Sequence, residues 1–246
     1  MKPGCSRLAA ATAMALAACA PAPVRMGQAG EWVPSPNFDE RRPAFVVIHH
    51  TSSDTSARAV RILTDPSSKV SAHYVIEREG GLVQLVDERA RAWHAGDSWW
   101  SGSADLNSSS VGIELVNNGE EPFAEPQIAA LLSLLSSLRE KYGIPAANYL
   151  GHGDIAPGRK VDPSRYFPWQ RLAASGFGLW CEAPAAAEVP GLDPTVALRL
   201  FGYDISDVAA ATAAFRRHFR GEERGGAALD EAERAVLACL VELKRR

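Results

Sequence analysis

Five of the six histidines in this 246-residue chain, His49, His50, His73, His94 and His152, lie next to stretches that read as strands or strand ends. Catalytic zinc sites commonly take three protein ligands from His, Asp and Glu and leave the fourth position to a water, whose pKa falls to roughly 7. Residues 152–162 can supply two such ligands. Pro157 and Gly158 make a turn there, and Pro163 biases Asp162 towards extended backbone, so that Lys160 and Asp162 point to one side. Glu114 is a single acid embedded in an apolar run. A metal-held carboxylate, a cation and an acid from a neighbouring strand are the parts needed to hydrolyse an amide, one activating water and another steadying the oxyanion. The residues alone leave two choices open. Adjacent strand residues face opposite sides, so only one of His49 and His50 can reach the metal. Asp154, whose other role is a turn or cap, rivals Asp162.

These side chains need a frame. Phe45-Val46-Val47-Ile48 reads as a buried strand that ends at His49-His50-Thr51. Ser53 or Asp54 is the expected cap of a helix through about Leu63, stopped at Asp65-Pro66. Residues 72–76 and 82–86, joined through Glu79-Gly80-Gly81, read as a β-hairpin, and 111–116 as a further strand. From Pro126, the residues Ile128, Leu131, Leu132, Leu135, Leu138 and Tyr142 recur at helical spacing, and Gly143 ends that helix as a left-handed cap. A short strand at 148–150 leads into His152, and residues 168–175 read as a closing helix. This order predicts an α/β (α+β) architecture, a mixed β-sheet flanked by helices.

A hydrophobic content of 46% and a length of 246 residues suffice for a core without structural metal, so a metal here would serve chemistry. A net charge of −3 supplies no broad basic field, which argues against nucleic acid as a partner. Lys2 and Arg7 precede an uncharged apolar stretch and small residues, the order of a secretory signal. Leu16-Ala17-Ala18-Cys19 resembles a bacterial lipobox, which makes residues 1–18 a lipoprotein signal peptide and Cys19 the lipidated N-terminus. The Ala-, Pro- and Gly-rich residues 19–30 then form a tether. In such lipoproteins Ala20, rather than Asp, after the Cys favours the outer membrane. Residues 31–180 form one domain. Residues 181–190 break all periodicity and read as a linker, and 191–246 as a small domain of about three helices. Cys181 and Cys239 are either a disulfide or two buried thiols; spacing does not choose.

Val46-Val47-Ile48-His49-His50-Thr51, Ser71-Ala72-His73-Tyr74, Ala92-Trp93-His94-Ala95-Gly96, residues 111–115 and residues 151–163 together resemble the type 2 N-acetylmuramoyl-L-alanine amidases, in order and in spacing. Within that family the likeness is to the AmiD-type outer-membrane lipoprotein amidases, which add a small peptidoglycan-binding-like helical domain. Leu200 to Asp204 and Phe215 to Arg220 look like that addition. The resemblance implies the fold of peptidoglycan-recognition proteins. It also implies Zn2+ held by His49, His152 and Asp162, with Glu114 as the acid/base and Lys160 at the oxyanion. The implied reaction is cleavage of the bond between (anhydro-)N-acetylmuramic acid and L-Ala in cell-wall turnover or recycling, by a monomer on the periplasmic face of the outer membrane. The rival function is a non-catalytic protein that binds peptidoglycan or tethers membrane to wall.

Other assignments follow for the remaining polar and aromatic residues. Glu114 has a structural alternative, a pair with Arg159. His94 and Trp93 match substrate-binding positions of the family, though core packing explains them as well, and His73 equally. Trp99 and Trp100 either stack on substrate or cover the core. His218 is expected at the surface, and Arg216, Arg217 and Arg220 on a solvated helix face.

Overall fold

The computed structural model describes residues 36–37, 39–182 and 192–246. The signal peptide, Cys19, the tether and all but the first two residues of the linker therefore lie outside the described residues. In chain order the elements are β1 (Phe45–His50), α1 (Ser56–Thr64), β2 (Tyr74–Ile76), β3 (Leu82–Gln84), α2 (Leu106–Ser109), β4 (Ser110–Leu115) and α3 (Glu125–Tyr142). They continue with β5 (Tyr149–Gly151), α4 (His152–Ile155), α5 (Trp169–Ala174), α6 (Pro194–Phe201), α7 (Val208–Arg220) and α8 (Glu231–Lys244).

The strands form one mixed sheet in the order β3-β2-β4-β1-β5. Only the β2–β3 hairpin is antiparallel; β2–β4, β4–β1 and β1–β5 are parallel. Central parallel strands buried on both faces read as continuous apolar runs, as β1 and β4 do. Residues of the parallel strands β1, β4 and β5 divide by parity between two cores. Val46, Ile48, Val111, Ile113 and Leu115 face α3 through Ile128, Leu131 and Leu135, while Val47 and Leu150 face the other way, towards Phe201, Phe215 and Leu240 of the last three helices. The C-terminal helices thus complete a core that the sheet begins, which suits a segment too small to bury its own apolar faces.

Local signals set the element ends. Gly143, at φ 67°, closes α3 in the left-handed region, where a residue without Cβ is unstrained. Gln127, fully buried, donates to the carbonyls of Ile76 and Val116 and so pins the start of α3 to the ends of β2 and β4. Helix α1 begins after Thr55, later than the expected cap at Ser53 or Asp54. Those side chains are engaged elsewhere: the Ser53 hydroxyl donates to the Thr55 carbonyl, and Asp54 accepts from Asn118.

Two expectations for α7 are corrected. Arg216 is 1% exposed. Its guanidinium donates to both carboxylate oxygens of the buried Glu233, at 2.7 and 3.0 Å. His218, 7% exposed, is stacked between Trp169 and Phe219 and donates to Asp154. Helical spacing defines a stripe, but the stripe's fate depends on what the helix packs against, and here α7 is covered on more than its apolar side. Of the two alternatives for the thiols, the structure has the Cys181–Cys239 disulfide, which ties the chain beyond α5 to α8.

Candidate active site

The carboxyl ends of parallel strands, where side chains of one face emerge beyond the core, are the usual place for a site in such sheets. β1 ends in His49 and His50, Glu114 is the penultimate residue of β4, and His152 follows β5 directly. Parity resolves the histidine pair. His49 shares a face with Val47, whereas His50 turns to the opposite side, where its Nδ1 accepts from the Ser164 amide at 3.1 Å. Asp162 is brought back beside His152 by the turn through Pro157 and Gly158, and its carbonyl accepts from the Gly153 amide at 2.7 Å.

His49, His152 and Asp162 converge on one point. Their Nδ1, Nδ1 and Oδ2 atoms are mutually separated by 3.0, 3.0 and 3.1 Å. Hydrogen-bond direction shows what these atoms present. His152 Nε2 lies 3.0 Å from the Ala95 carbonyl, which only accepts, so Nε2 carries the proton and Nδ1 offers a lone pair. His49 is oriented by a longer chain. The Ser110 hydroxyl donates to the Leu106 carbonyl and accepts from His94 Nε2 at 3.2 Å, and His94 Nδ1 accepts from His49 Nε2 at 3.1 Å. His49 Nδ1 is thereby also left with its lone pair facing inward. Burial, chiefly, holds the His49 pKa down to about 4, so the ring is neutral at pH 7. Two lone pairs and a carboxylate facing one another repel unless a cation joins them. The donors fit: tetrahedral coordination at 2.0–2.1 Å places neighbouring donors about 3.3 Å apart.

Glu114 sits beside this cluster. Its pKa is raised to about 8, first by burial and then by the Asp162 charge, with Lys160 opposing. Glu114 Oε2 is buried and has no hydrogen-bond partner among the described residues. His49, Glu114, His152, Lys160 and Asp162 line one cavity of about 220 Å³. Arg159 does not pair with Glu114; it donates to the carbonyls of Ala95 and Asp97. An acid held neutral or ionised by small changes around it, next to a cation-binding cluster and a lysine, can move a proton while charge develops nearby.

The remaining sequence candidates take distinct places. Trp93 is 49% exposed and lies at the cavity wall with Ile62 and Val70. His94 also borders the cavity, but both its ring nitrogens are occupied by His49 and Ser110. His73 is wholly buried, accepting from the Gly112 amide. Trp100 is buried against Phe201 and Tyr203 and so covers the core. Asn107 is a residue that motif reasoning passed over: its Oδ1 accepts from the amides of both His94 and Ala95, fixing the loop that orients the two histidines. Nothing local marks it, because a polar residue at the start of a four-residue helix reads as an ordinary turn.

Comparison with known proteins gives a consistent result. Residues 39–165 match the family described as N-acetylmuramoyl-L-alanine amidase. The chain is 36% identical, over 80% of its length and 82% of the relative's, to the N-acetylmuramoyl-L-alanine amidase AmiD of Escherichia coli. It is also similar to the solved complex of that protein with anhydro-N-acetylmuramic acid-L-Ala-D-gamma-Glu-L-Lys, with a TM-score of 0.73 and 33% identity over 85% of this chain and 93% of the other. Pseudomonas aeruginosa AMPDH3 in complex with anhydromuramic pentapeptide matches with a TM-score of 0.73 and 32% identity, over 90% of this chain and 99% of the other.

Proposed function

Because the chain belongs to the N-acetylmuramoyl-L-alanine amidase family, we propose that it hydrolyses the amide between (anhydro-)N-acetylmuramic acid and the L-Ala of a peptidoglycan stem peptide, using Zn2+. The observation that carries this reading is the convergence of three metal-type donors beside an orphaned, pKa-raised carboxyl group. A mixed His/Asp donor set suits Zn2+, which accepts nitrogen and oxygen alike.

In this reading His49, His152 and Asp162 hold the ion, which when bound acidifies water and polarises a carbonyl. Glu114 takes the proton of the attacking water and returns it to the departing L-Ala nitrogen, so that no covalent enzyme intermediate is needed. Lys160, on the same cavity wall, steadies the negative charge that gathers on the lactyl carbonyl oxygen. Trp93 offers an exposed ring at the rim to sugar or peptide.

The reading extends to the cell envelope: Cys19 carries the lipid, the anchor lies in the outer membrane, and the enzyme acts there in wall turnover. The charge, apolar core and Leu16-Ala17-Ala18-Cys19 order support this. Fatty-acid labelling of cells producing the chain and its Cys19→Ala variant tests the anchor, and equal label in both removes it.

Activity is tested by incubating the full chain with anhydro-muropeptides, with Zn2+ and after chelation, and following free stem peptide by mass spectrometry. Release that depends on metal is expected. Full release by metal-free protein overturns the metal reading, and wall binding with no product returns the non-catalytic alternative.

A further inference from the structure

A buried polar cluster outside the cavity joins the C-terminal helices to the turn that carries two of the three donors. Asp154, 4% exposed, lies two residues beyond His152. Its Oδ2 accepts from the Gly151 amide at 2.8 Å and from His218 Nδ1 at 2.7 Å, and its Oδ1 accepts from the Tyr203 hydroxyl at 2.8 Å. Capping the short helix α4 requires only the first of these bonds. The other two come from 49 and 64 residues away in sequence, from side chains themselves buried.

The cluster is built rigidly. The His218 ring lies between Trp169, at 3.8 Å and 13°, and Phe219, at 4.0 Å and 17°, which fixes the plane from which Nδ1–H is aimed. Position 151 is packed too closely for a side chain, since a Cβ there would stand 2.9 Å from Pro163 Cδ and 3.1 Å from Asp154 Oδ2. The Gly153 amide passes the restraint to the Asp162 carbonyl. A carboxylate buried this deeply is costly unless all its bonds are made, so loss of one donor is relieved by movement of the turn. Donors spaced by about 3 Å around an ion tolerate displacements of only about half an ångström.

We infer that Tyr203 and His218, acting through Asp154, are positioning residues for the turn bearing His152 and Asp162, so that α7 and the segment joining it to α6 support the metal site. The inference rests on the metal reading above. It is tested on the full chain and its Tyr203→Phe, His218→Leu and His218→Asn variants, by Zn2+ affinity from competition with a chromogenic chelator and by melting of each metal-free protein. Tyr203→Phe and His218→Leu should bind Zn2+ about tenfold more weakly or worse while still melting cooperatively. His218→Asn places an amide N–H where Nδ1–H was and should recover affinity to within about threefold of the parent. Parental affinity in both Tyr203→Phe and His218→Leu overturns the inference alone, as does His218→Asn binding no better than His218→Leu. A parent chain that takes up no Zn2+ overturns the metal reading as well.

Discussion

His49 and Glu114 are register partners on the parallel strands β1 and β4. Adjacent strands lie about 4.8 Å apart, so the two side chains stand next to each other on one face, at the edge where the sheet opens into the cavity. The metal-type donor His49 and the carboxyl group proposed to carry the proton are thus placed by the sheet ladder itself.

Replacing Glu114 by Gln keeps the shape and removes the ionisable group. Turnover of muropeptide should fall on the order of 10²- to 10⁴-fold with metal content unchanged, measured by product mass spectrometry and elemental analysis. Unchanged turnover would assign proton transfer to another group.

The same variant has a pH signature in metal-free protein. Because the folded pKa of Glu114 is raised to about 8 from 4.5, the folded state holds a proton that the unfolded state has lost between those values. Glu114 therefore costs no stability below about pH 4.5, an increasing amount as pH rises to 8, and a constant amount above, on the order of a few kcal/mol. The melting temperature of Glu114→Gln minus that of the parent should grow across this window. A difference that shrinks with rising pH would contradict the burial described for Glu114.

His49→Ala and His50→Ala should behave differently despite their adjacency. The first loses the bound metal. The second keeps it and loses about 1–3 kcal/mol of stability, because the buried Ser164 amide is left without its acceptor. Metal analysis and denaturant titration distinguish them, and equal metal loss in both would refute the facing assigned to the pair.

Gly112 has no space for a side chain: a Cβ would lie 2.3 Å from the His94 ring, which holds His49. Gly112→Ala should cost about 1–3 kcal/mol or more through overpacking and should weaken metal binding by displacing His94. Unaltered melting and metal affinity would show that His94 does not bear on His49.

On α7, Arg216→Met takes both guanidinium bonds from the buried Glu233, which keeps Arg224 and the Asp230 amide, and removes the donor to the carbonyls of Gly225, Gly226 and Ala228; it should cost about 2 kcal/mol or more, whereas Arg220→Met should stay within about 0.5 kcal/mol. Comparison of denaturation midpoints at constant slope reads the difference.

The amino-acid sequence by itself determined the elements and the residue types. Apolar runs without alternation made β1 and β4 central strands, Gly143 ended α3, and His, Asp, Glu and Lys stood at strand ends and in a turn, because period, capping and ligand chemistry are written in short windows. What only the tertiary structure decided involves partners far apart. It chose His49 over His50 by which face of the sheet opens. It made the disulfide by bringing Cys181 to Cys239. It buried Arg216 and His218 because Glu233 and Asp154 wait for them on other elements. A local pattern fixes how a helix or strand repeats, but burial and charge pairing are properties of the surface it meets, and that surface is assembled from residues tens of positions away.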